Sequence, residues 1–179
     1  MRKKISGAVR GRFGRLLRDI KGATALEFAL VATPFLFTFF AILEVALIFF
    51  ASSALESGVQ EASRTIRTRE LQMSGGGLAE FRQRVCDTTS GFISCGADLN
   101  VDVRTYPAFA DADMTPPVDA DGNPIPGVFN PGGPLQVVVV RVYYVWTVHT
   151  PGLGLILGNI GSTNSRLLLS TAAFRNEPP

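Results

Sequence analysis

Between Lys21 and Phe50 the chain reads KGATALEFALVATPFLFTFFAILEVALIFF, and this stretch limits every fold open to the rest. No charged residue occurs from Phe28 to Leu43, and beyond Glu44 the apolar run resumes over Val45 to Ala51. It exceeds the ~20 residues that an α-helix needs to cross a hydrocarbon core about 30 Å thick. A surface helix of a soluble domain is apolar along one stripe, whereas this one is apolar on every side. A secretory signal has only roughly 7 to 15 apolar residues with its cleavage site after them, while here the small pair Gly22 and Ala23 comes first. We expect a spanning helix over residues 23–51.

Glu27 is a charge inside that helix, and a carboxylate in hydrocarbon costs about 2.5 to 3.5 kcal/mol on insertion scales. It needs a partner. Upstream, residues 1–22 form a basic leader in which Arg2, Lys3, Lys4, Arg10, Arg12, Arg15, Arg18 and Lys21 face Asp19 alone. Positive residues beside a span stay on the cytoplasmic side, so the expected arrangement is a single pass with the N-terminus cytoplasmic and the C-terminal head across the membrane. A nucleic-acid arm can have the same composition, but the place directly before a span favours topology and contact with anionic membrane lipid, and no nucleic acid is expected as a partner. The formal net charge is +2, yet after Gly22 nine arginines meet fourteen acids, giving −5. All three lysines lie in the leader, so a chain cut after Gly22 carries one primary amine, its own terminus.

Gly22, the ATAL that follows it, Glu27 and Phe28 resemble the processing site of the TadE-like pseudopilins of the tight-adherence pilus, relatives of type IV pilins. The resemblance continues through Pro34, Glu44, the segment EASRTIR with Arg64, and the closing AAFRNEP, while residues 73–135 offer no motif to compare. It implies that a prepilin peptidase cuts between Gly22 and Ala23, leaving Glu27 as the fifth residue, where its carboxylate neutralises the freed amine of a neighbouring subunit. The partners it implies are that peptidase, other pseudopilins and pilin subunits, and an inner-membrane assembly platform. Phe28 stands where the major pilins of the system usually have Tyr, and 179 residues exceed those very short subunits, so the chain looks like a minor component.

The expected fold class is α+β: a long N-terminal transmembrane helix continuing into a small periplasmic head with a short helix and an antiparallel β-sheet. One helix is expected from about Thr24 to Met73, kinked at Pro34, with an amphipathic extension over 52–74. There Leu55, Val59, Ala62, Ile66 and Met73 follow helical spacing and predict a packing face. Gly75 to Gly77 ends the helix, and residues 75–179 form the head. Leu78 to Cys86 reads as a short helix with Glu80 and Arg84 paired at i, i+4. Leu99, Val101 and Val103 alternate with polar residues as in a half-buried strand, and Leu135 to His149 is the strongest strand, with Val138, Val140, Val142, Tyr144, Trp146 and Val148 on one face. Between them, seven of eleven prolines from Pro107 to Pro134 predict an irregular, exposed loop. After a Gly-rich link whose Leu153, Leu155, Ile156 and Leu157 form an exposed tip, Arg166 to Phe174 closes an antiparallel pair.

Cys86 and Cys95 suit a disulfide if the head is periplasmic, or else remain buried thiols; with only His149 elsewhere, a zinc site lacks ligands. DADGN at Asp119 to Asn123 offers oxygens for calcium but lacks the spacing and distant Glu of an EF-hand. Glu44 either snorkels to the headgroups or meets another pseudopilin. No Walker-type loop, HExxH or GxSxG is present, and the lone His149 has no evident catalytic partner, so neither an enzyme nor a cofactor is expected. The alternative reading is an uncleaved single-pass anchor displaying a binding head, with the apolar tip or the Asp-rich loop touching its ligand.

Overall fold

The computed structural model describes residues 22–89, 91–161 and 164–179; the basic leader before Gly22 lies outside the described residues. Helix α1, Ala23–Arg67, is followed by α2 (Glu70–Met73), α3 (Leu78–Thr89), β1 (Leu99–Tyr106), β2 (Val137–Thr147), α4 (Gly154–Leu157) and β3 (Ser165–Arg175). Contacts divide the chain into one unit ending at Ile42 and a second, Leu43–Pro179.

In the first unit the helix displays Leu26, Phe28, Leu30, Val31, Phe35, Phe39 and Phe40 as exposed side chains. Its hydroxyls turn inward on their own backbone: Thr33 Oγ1 donates to the Ala29 carbonyl at 2.8 Å and Thr38 Oγ1 to that of Pro34 at 2.9 Å. A helix in lipid must satisfy its polar groups internally in this way.

In the second unit the same helix buries one stripe, Glu44, Ile48, Ala51, Leu55, Val59, Ala62 and Ile66. Successive members are three or four residues apart, so they share a face turned to the core. Helix α3 lies against this stripe at Gly58, where an added Cβ would come within 2.8 Å of Thr89 Cγ2 and 3.0 Å of the Val85 carbonyl oxygen. The expected run to Met73 is interrupted: α1 stops at Arg67, Arg69 takes a left-handed φ of 63°, and α2 restarts the chain in a new direction. Left-handed backbone costs a non-glycine residue about 1 kcal/mol. The turn delivers Leu71 to the core in place of Met73, which is 79% exposed. Gln72 holds the break by donating to the carbonyls of Ile66 and Pro131.

The sheet has the order β1-β2-β3, antiparallel throughout, with Val101 opposite Val142 and Val140 opposite Ala172. Leu99, Val101 and Val103, then Val138, Val140, Val142 and Tyr144, then Leu168 and Ala172 join the helix stripe in one core. The opposite face of β2 is also closed: Val137, Val139, Arg141 and Tyr143 are all buried. The proline-rich stretch supplies that cover, so the loop expected to be exposed is tied to the sheet by its main chain. Tyr143 Oη donates to the Ile125 carbonyl at 2.8 Å, and Arg141 Nη1 to those of Asp113 at 3.2 Å and Thr115 at 2.5 Å. Beneath it, Arg141 Nη2 meets Asp102 Oδ2 at 2.7 Å, and Asp102 Oδ1 accepts from Val128 N and Arg104 Nε. Proline suits this role because it cannot extend the ladder and leaves the carbonyls free to accept.

Candidate functional site

The residues singled out at the start of the helix are built on almost nothing but the helix. Gly22 is exposed, its φ is not left-handed, and an added Cβ would meet no atom within 4 Å. The fold of the described residues therefore does not require a glycine there. Ala23 opens α1, and one turn on, Glu27 is exposed with no side-chain partner among the described residues. Phe28 beside it is 74% exposed. A carboxylate on an otherwise apolar helix surface is costly in hydrocarbon unless it is paired.

Glu44 is handled in the opposite manner, and neither expectation for it matches. It is 4% exposed, inside its own head. Its oxygens accept from Trp146 Nε1 at 3.3 Å, from His149 N at 3.2 Å, and from Thr150 N and Oγ1 at 3.1 and 3.0 Å. Those four donors come from the end of β2 and the turn after it, more than a hundred residues away, and they clasp the turn to the first turn of the second unit's helix. Charge-assisted hydrogen bonds of this kind are the strong ones. The signal was in the sequence: stepping the stripe Leu55, Ala51, Ile48 back by one more turn lands on Glu44.

The other candidates take structural places. Cys86 and Cys95 form a disulfide with a Cα–Cα distance of 5.9 Å, fastening the end of α3 to the segment that leads into β1. His149 lies beyond the end of β2, 73% exposed, its ring edge-on to Trp146 at 6.2 Å and its Nδ1 3.8 Å from Glu44 Oε1. Asp119 Oδ1 accepts from the backbone of Asp121 and Asn123, so DADGN closes on itself as a turn. Hydrogen bonds from the Asn123 side chain, and then from its backbone, hold the Asp119 carboxyl below its ordinary value. Among the described residues no group of three or more His, Cys, Asp or Glu is placed to hold a metal ion.

Among the described residues one helix, Ala23–Arg67, is long and apolar enough to cross a membrane, and an α+β head follows it. That is the class of a single-pass, membrane-anchored protein. The family model described as TadE-like protein matches residues 22–64, beginning at Gly22 and ending at Arg64. Over this segment, about a quarter of the chain, it is similar to TadE-like proteins, a family associated with the tight-adherence pilus. No curated protein and no solved structure matches the chain.

Proposed function

We propose that this chain is a minor pseudopilin that takes part in assembling a tight-adherence pilus for surface attachment. A prepilin peptidase removes residues 1–22, and Ala23 then carries the new terminal amine. The helix stays in the inner membrane with its N-terminus cytoplasmic and its head periplasmic, where the disulfide can form. In a bundle of such helices with other pseudopilins and pilin subunits, the Glu27 carboxylate of one subunit pairs with the amine of the next, and an assembly platform in the membrane drives their addition. The pair forms only at the correct stagger, because an unpaired charge in a low-dielectric bundle is costly. On this reading the membrane-spanning part ends at Glu44, short of the expected residue 51, because Glu44 is the first residue of the helix that the head buries.

The observation that carries this reading is the contrast between the two glutamates in the first half of the matched segment's helix: Glu27 lacks a partner among the described residues, whereas Glu44 is satisfied by its own head. Gly22 adds to it, since a glycine that the fold does not require suits an extended backbone entering a protease. The test is piliation of cells carrying Gly22→Leu or Glu27→Ala. Both variants should leave the cells without pili, the first with an uncleaved chain and the second with a cleaved one. Normal pili from Gly22→Leu would remove the processing step, and normal pili from Glu27→Ala the pairing step.

A further inference from the structure

Leu155 is 92% exposed and Ile156 75% exposed on α4, a single turn that the proposed assembly role leaves without a task. The turn is not loosely held. Ile156 N and Leu157 N both donate to the Leu153 carbonyl, Gly158 N to that of Gly154, and Arg166 Nη1 to that of Leu157. Leu153 and Gly154 are buried beneath it. A rigid turn therefore presents two aliphatic side chains outward.

Its place along the helix is fixed on both sides. Before it, His149 and Thr150 are bonded to Glu44; at its end, Leu157 lines a groove with Val45, Ile48, Phe49 and Ser52. Glu44 follows the 21 residues 23–43, which contain Glu27 as their only charge. At ~1.5 Å per residue they extend about 31 Å, close to the thickness of a hydrocarbon core. A span of that length ends at Glu44, and α4, which follows the clasped Thr150 by four residues and sets Leu157 beside Val45 and Phe49, then lies near the edge of the leaflet. Exposed aromatics share this level: Phe49, and Phe50 stacked on Phe92 with ring centroids 6.2 Å apart. Their exposed rings extend the apolar surface at this level.

We propose that the turn Gly154–Leu157 is an interfacial foot, with Leu155 and Ile156 inserted into the headgroup and acyl boundary of the periplasmic leaflet. Lipid is the occupant because the patch is exposed and aliphatic, and the adjoining span keeps it against a bilayer. The inference rests on the reading that residues 23–43 cross the membrane.

The experiment uses the full chain in phosphatidylcholine and phosphatidylglycerol vesicles, with Trp146→Phe to remove the native tryptophan. Leu155→Trp and Ile156→Trp report on the foot, and Met114→Trp in the proline-rich loop is the reference. In vesicles of brominated-chain lipid the two foot reporters should lose at least half their emission, and the reference should lose little. Equal exposure of all three to aqueous acrylamide without bromine quenching overturns the proposal. Shielding without bromine quenching that vanishes when protein is diluted in lipid also overturns it, because a second copy of the chain then covers the turn. Alkaline carbonate extraction separates the two readings: a chain released from the vesicles refutes the span and the foot with it, whereas a retained chain with unquenched reporters refutes the foot alone.

Discussion

Two glutamates on one helix mark the difference between its halves. Up to Ile42 the helix is bare, its phenylalanines and leucines exposed and Glu27 without a side-chain partner among the described residues. From Leu43 onward it is the spine of a folded head, and Glu44, chemically the same residue, receives four donors. A fold completes what it must keep inside itself and leaves open what another molecule is to complete. By that standard the second half of α1 serves the head, and the first half is the part that the proposed assembly would complete.

The comparison breaks most visibly at Glu44. Replacing it with Ala strands four donors at a buried site, and a loss of about 3 kcal/mol of head stability is expected. Glu27→Ala should stay within about 0.5 kcal/mol of the parent, as surface changes usually do. Denaturant melts of the detergent-solubilised chain, followed by Trp146 fluorescence, measure both; similar losses would erase the distinction. A somewhat smaller effect, roughly 2 to 3 kcal/mol, is expected for Cys86→Ser, from the short loop closed by the disulfide. The same melts under reducing conditions should bring the parent to the variant's midpoint and leave the variant unmoved.

The smallest effect is acid sensitivity in the proline-rich loop. The Asp119 carboxyl is held below its ordinary value of 3.8 by Asn123, so its contribution to the turn is full above that value and is lost as pH falls through the still lower folded one. Amide exchange at Asp121 and Asn123 should rise relative to the sheet below about pH 4, and Asn123→Ala should show the rise already at neutral pH. Unchanged relative protection down to pH 2 would show that the turn is held by something else.

Much of this was legible in the sequence because hydrophobic pattern carries it. The span followed from the length of the apolar run, the core face of α1 from Leu55, Val59, Ala62 and Ile66, and β2 from its alternating valines. What escaped depends on pairings between distant residues. Asp102 and Arg141 each read as the wet face of a half-buried strand, yet the β1–β2 register sets them opposite each other and the proline-rich loop covers them. Nothing local signals that lid, since the arginine finds its further acceptors, the Asp113 and Thr115 carbonyls, over twenty-five residues away. The helix break at Arg69 escaped for a similar reason: the residue is no helix breaker, and burial of Leu71 outweighs its strained backbone. Of the candidate site, Glu27 stood out by its cost in an apolar run, whereas Glu44 was visible only to a reader who extended the buried stripe by one turn.

The most direct measurement is the intact mass of membrane-extracted protein from cells with and without the prepilin peptidase, combined with amine labelling. With the peptidase, the account predicts a chain beginning at Ala23 that takes at most one label, because all three lysines have left with the leader. Without it, the full 179 residues and reactive lysines should return. A full-length chain in both strains would contradict the account and leave an anchored periplasmic protein whose head binds a partner.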